Sequence, residues 1–64
     1  MRIDRVKLAA AITAADIRLG ALAERSGVSR ATITAIRSGK SCSESTAVKL
    51  AAGLGVTVAE IVRQ

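Results

Sequence analysis

Between Arg18 and Lys40 stand five basic residues, Arg18, Arg25, Arg30, Arg37 and Lys40, and one acid, Glu24. The rest of the chain carries five basic and four acidic residues, so four of the five net positive charges fall in this stretch. Cationic side chains concentrated in this way suit a polyanion, most often nucleic acid in a small basic domain. The alternative is a solvated face that serves only solubility. No other residues offer chemistry. The chain has no His and one Cys, and no carboxylate pair at a spacing suited to acid–base work. No catalytic residue, metal ligand set, cofactor site or small-molecule substrate is therefore expected. Cys42 has no partner for an internal disulfide, which fits a reducing cytoplasm, and it reads as a small loop filler, not a redox centre.

These basic residues need a scaffold, and the same stretch supplies one. Leu19–Arg25 reads as a short helix, Ser26–Ser29 as a tight turn, and Arg30–Arg37 as a second short helix that stops at Gly39. Gly27 stands where a chain leaving a helix turns left-handed. Ser29 is placed to cap the helix that follows. Leu22, Ala23, Val28, Ile33 and Ile36 face inward, leaving Arg30, Ala31, Thr34 and Ala35 on the outward face. This is the outline of a helix-turn-helix. Gly20 admits two accounts: a costly residue for a helix, or a place where a phosphate approaches backbone N–H groups closely.

The flanking segments read as support. Asp4 is expected to cap a first helix to Ala15, with Leu8, Ala11, Ile12 and Ala15 on one stripe. Asp16 is the expected cap for the helix beginning at Leu19. After a small-residue loop from Ser38 to Ser45, Ser43 is expected to cap a fourth helix with the stripe Ala47, Leu50, Ala51 and Leu54, ended by Gly53 and Gly55. Thr57 and Glu60 have capping-box spacing, predicting a fifth helix of one to two turns with Val58, Ile61 and Val62 available for burial. The fold class is all-α, five short helices and no strands.

Sixty-four residues make one domain, 1–64. A chain this short buries only about 60% of its unfolded surface. There is no Phe, Trp or Tyr and there are 13 Ala, so the core is thin and self-association is a reasonable expectation. The apolar run Leu8–Ile12 is too short and too Ala-rich for a signal sequence or membrane span. The basic residues cluster on the turn and third helix, not along one long face, which argues against a membrane-surface helix. A cytoplasmic protein without a membrane partner is expected.

The run Leu22-Ala23-Glu24-Arg25-Ser26-Gly27-Val28-Ser29, followed by Thr32-Ile33, Ile36 and Gly39-Lys40, resembles the Cro and lambda-repressor family of helix-turn-helix proteins, also called the XRE family. Leu50-Ala51, Leu54-Gly55-Val56, Thr57 and Glu60-Ile61 continue the pattern, so the resemblance spans about Leu8 to Val62. It implies a lambda-repressor-like domain whose third helix enters the major groove of double-stranded DNA. On that reading Arg30, Ala31, Thr34 and Ala35 meet base edges, with Arg30 able to bond guanine bidentately. Phosphate contacts are expected from Arg18, Gly20, Ser29, Thr32, Arg37, Ser38 and Lys40. Arg25 is as well placed to complement a helix C-terminus as to touch a ligand.

Four departures from the family pattern stand out. Leu19 replaces the usual Gln of the second helix, and Arg18 replaces the Ser or Thr before it. Ile12 and Arg37 occupy the positions of a common Arg–Glu pair, both members of which are absent together. Cys42 replaces a loop Pro. The resemblance further implies a homodimer on two half-sites about one DNA turn apart, and Val58, Ile61 and Val62, more apolar surface than one short helix easily hides, make helix five and the C-terminus the expected interface. The expected function is a small phage- or mobile-element-type repressor. The alternative is a protein-interaction module or antitoxin-like partner that uses the same fold.

Overall fold

The computed structural model describes residues 1–63. Four α-helices follow in order: α1 (Arg5–Ala15), α2 (Leu19–Ser26), α3 (Arg30–Arg37) and α4 (Glu44–Leu54), and a 3-10 turn, Val58–Glu60, closes the chain. The fold is all-α, and the expected fifth helix is this single 3-10 turn. Its capping box forms: the Glu60 carboxylate accepts from the Thr57 backbone N–H at 2.6 Å and from the Thr57 hydroxyl at 3.1 Å.

Three of the four helices begin at the expected caps. The Asp4 carboxylate accepts from the N–H groups of Val6 and Lys7, Ser29 from Thr32, and Ser43 from Thr46. These bonds satisfy donors that the first helical turn leaves without intrahelical partners. Asp16 departs from expectation. It ends α1 in a left-handed conformation (φ 50°, ψ 47°) and does not cap α2, whose N-cap is Arg18 without a side-chain bond. A short polar side chain tolerates that conformation better than most.

Gly53 also departs. It does not end α4 but lies buried within it, and Gly55 (φ 72°) ends the helix. The reason is close approach: a Cβ on Gly53 would stand 2.9 Å from the Ser26 Cβ and 3.2 Å from the Ser26 Cα. Only a hydrogen at this position lets α2 and α4 cross so tightly. Ser26 is itself buried, and its hydroxyl donates to the Leu22 carbonyl at 2.7 Å and accepts from the Val28 N–H at 3.2 Å.

Every element contributes to one core. Leu8, Leu22, Ile33, Ile36, Leu50 and Ile61 are each under 2% exposed. The α4 stripe Ala47, Leu50, Ala51 and Leu54 is buried as expected, whereas Ala15 of the α1 stripe is exposed. Ile3 joins the core from a segment with no helical period. It forms an isolated antiparallel bridge with Val62, flanked by bonds from Asp4 N–H to the Ile61 carbonyl and from Arg63 N–H to the Arg2 carbonyl, both 2.9 Å. On its other side the segment is tied to the α3–α4 loop, where Cys42 N–H donates to the Met1 carbonyl at 2.9 Å. No described helix is long and apolar enough to cross a membrane.

Candidate nucleic-acid interface

Helix α3 owes its orientation to two isoleucines. Ile33 and Ile36 are 0% and 1% exposed, and they fix which face of the helix points out. Arg30, Ala31, Thr34 and Arg37 are exposed on the remaining surface, while Ala35 is half-buried at its edge. An α-helix with its side chains is about 10–12 Å across, a fit to a major groove about 12 Å wide. Between the two guanidiniums the outward residues Ala31 and Thr34 are small, so the helix axis can approach another surface closely.

The turn is built as its residues suggest. Gly27 adopts φ 73° and donates its N–H to the Ala23 carbonyl at 2.9 Å, closing α2. Val28 is buried beneath both helices. At the start of α3 the Ser29 hydroxyl accepts from Thr32 N–H at 3.2 Å and donates to Thr32 Oγ1 at 2.8 Å. The Thr32 hydroxyl is thereby an acceptor toward Ser29, and its own proton is left to point outward. Ser38 is different. Its hydroxyl donates to the Thr34 carbonyl at 3.0 Å, so its proton is already used within the helix end.

Beyond Ser38 the chain turns through Gly39 at φ 107°, and Lys40 N–H donates to the Ala35 carbonyl at 3.1 Å. Lys40 is thus held against the end of α3 with its side chain exposed. Arg18 is also exposed, at the N-terminus of α2. With no side-chain cap at Arg18, the first N–H groups of α2 keep their capacity to bind an anion. Gly20 has nothing within 4 Å of where a Cβ would stand, so packing does not require glycine there. Ile12 is half-buried against the core and Arg37 is exposed, which accommodates the exchange of a paired charge for an apolar residue and a free cation.

A family model described as helix-turn-helix matches residues 8–61. The chain belongs to the helix-turn-helix family, of the Cro and lambda-repressor type. It is accordingly a DNA-binding regulator of that type. No curated protein and no solved structure matches it. In this helix-turn-helix protein the match takes in α1 from Leu8 onward and ends at Ile61, so it spans the turn and every buried core residue but Ile3. Among the described residues no group of His, Cys, Asp and Glu is arranged to hold a metal ion.

The structure brings Arg30, Ala31 and Thr34 together on one exposed helix face, with Ala35 turned partly inward. Ser29 and Thr32 lie at its leading end, and Arg37, Ser38 and Lys40 at its trailing end. Sequence reasoning finds the Asp4 cap but misses the approach of the N-terminal segment to the end of α3. Arg5 lies against the end of α3, its Cδ 3.8 Å from the place of a Gly39 Cβ. No periodicity marks that approach, because it depends on a bridge between residues near the two chain ends.

Proposed function

We propose that this protein is a sequence-specific transcriptional repressor of the small phage- or mobile-element kind, a single cytoplasmic domain that binds operator DNA as a homodimer. The observation that carries the reading is the division of α3 into two faces. Ile33 and Ile36 are entirely inside, and Arg30, Ala31 and Thr34 are outside on one exposed helix face. Arg30 reads guanine through a bidentate pair worth about 1–3 kcal/mol of discrimination. Ala31 and Ala35 touch thymine methyl groups, and Thr34 bonds a base edge. Arg18, the Gly20 backbone, Thr32, Arg37 and Lys40 meet phosphates and set register and salt dependence, whereas the hydroxyl protons of Ser29 and Ser38 are held within the ends of α3.

Ile61 is wholly buried within the protomer, so Val58 and Val62, both half-buried, are what the C-terminal segment retains for a second copy. Sedimentation of the free protein and of its operator complex tests this assembly. A strict monomer in both states overturns it.

Selection of preferred duplexes from a random pool, followed by binding of the selected and a scrambled duplex, tests the main reading. The wild type is expected to prefer the selected site. Arg30→Ala should lose that preference, and Lys40→Ala should weaken both duplexes alike. No DNA binding at low salt would instead favour a protein-interaction module.

A further inference from the structure

The clustering of charge along the chain and the clustering in space differ. Outside the Arg18–Lys40 stretch the charges nearly cancel, with five basic and four acidic residues. The fold nevertheless gathers three of those five cations in one place. A groove of about 500 Å³ is lined by Arg2, Arg5 and Arg63 together with Ser38 and Gly39, and among the described residues Asp4 is the one acid lining it.

Two sets of backbone bonds bring these arginines together. The Ile3–Val62 bridge and the bond from Arg63 N–H to the Arg2 carbonyl set the two ends side by side. The bond from Cys42 N–H to the Met1 carbonyl ties that pair to the loop that follows α3. Arg5 then lies across Gly39, its Nε 4.0 Å from the place of a Cβ there. Asp4 offsets one of the three positive charges and leaves the cluster with an excess of two. Its Oδ1 already accepts from the N–H groups of Val6 at 2.9 Å and Lys7 at 3.0 Å. Arg2, Arg5 and Arg63 are all exposed.

Resting on the DNA-binding reading above, we infer that this arginine groove is a second phosphate-binding surface, which grips the DNA backbone beyond the phosphates met by Lys40. The groove begins at Ser38 and Gly39, the residues that end α3. A duplex whose major groove holds α3 therefore carries a backbone past this end of the helix. Guanidinium forks match phosphate oxygens bidentately. Three of them on one concave wall suit a row of phosphates better than a single carboxylate. None of the three reads bases, so they add affinity without sequence preference.

The experiment is a salt titration of binding to the selected duplex by fluorescence anisotropy, for wild type, for Arg2→Gln/Arg5→Gln/Arg63→Gln together, and for Lys49→Gln on the exposed face of α4. Removing one cation from a phosphate should reduce the slope of log affinity against log salt by about 0.9. The triple variant is expected to show a slope shallower by about 2 to 3 per protomer bound and to keep its preference for the selected site, while Lys49→Gln keeps the wild-type slope. A folded triple variant with the wild-type slope overturns the inference and leaves the DNA-binding reading standing. A wild type that binds no duplex at low salt overturns both. If the triple variant loses its helical circular dichroism, Arg2→Gln and Arg63→Gln singly decide the matter. Each should take about 0.9 from the slope, and unchanged slopes in both refute the proposal.

Discussion

The crossing of α2 and α4 makes a sharp prediction at Gly53. In an isolated helix Gly→Ala stabilises by about 0.8–1 kcal/mol. Here the added Cβ would stand 2.9 Å from the Ser26 Cβ and 3.2 Å from the Ser26 Cα and N, against about 3.5–4.0 Å for a comfortable carbon contact. Ser26 cannot step aside, because its hydroxyl is bonded to Leu22 and Val28 and the clash includes its backbone. The helices must part by roughly half an ångström, and overpacking of that kind costs about 1–3 kcal/mol. Gly53→Ala is therefore expected to destabilise by about 1 kcal/mol net, a fall in Tm of about 4–8 °C for a domain of this size. Gly20→Ala is the internal control, since nothing lies within 4 Å of its Cβ position. That variant should hold or raise Tm, by up to about 1 kcal/mol of propensity. Thermal melts followed by circular dichroism measure both. A Tm for Gly53→Ala at or above wild type would refute the close-packing argument.

Three further outcomes are expected. Ile33→Ala removes a side chain that is 0% exposed and should cost about 2–5 kcal/mol, enough to leave much of so small a domain unfolded in a denaturant titration. Ser43→Ala deletes the α4 cap bond to Thr46 N–H and should cost about 1 kcal/mol in the same titration while leaving DNA preference unchanged. The Lys7 backbone N–H, opposed next by desolvation and aided by the Val6 N–H and the nearby charges of Lys7 and Arg63, holds the Asp4 carboxyl below its ordinary value of 3.8. A lowered carboxyl stabilises the fold fully above its ordinary value and stops doing so as pH falls through the lowered one. Melts from pH 7 downward should show wild type losing Tm on the acid side more steeply than Asp4→Asn, and parallel curves would contradict this.

Much of the framework is legible in local sequence chemistry. Ser29 and Ser43 are readable as caps because their hydroxyls act on N–H groups within three residues. The α4 stripe is readable because its period is that of a helix packed on one side. What local reasoning misses depends on contacts between distant segments. Gly53 reads as a helix stop because glycine commonly is one, but here its missing side chain admits Ser26 from another helix. Asp16 reads as the start of α2, yet the chain needs a left-handed residue to leave α1, and Asp16 supplies it. Ile3 and the arginine groove depend on the pairing of the two chain ends, which has no signature in spacing. Within the candidate interface, Arg30, Ala31 and Thr34 share the expected exposed face, and Ala35 turns partly inward.

DNA binding by this domain should engage α3 and the uncapped start of α2 before any other surface. Amide chemical-shift mapping of the labelled protein during titration with the selected duplex at low salt tests that most directly. The largest perturbations are expected at Leu19–Ala21 and Ser29–Lys40, with the outer face of α4 around Val48 unchanged. Perturbations centred on Val48 while Arg30–Arg37 stay still, or no perturbation anywhere, would contradict it.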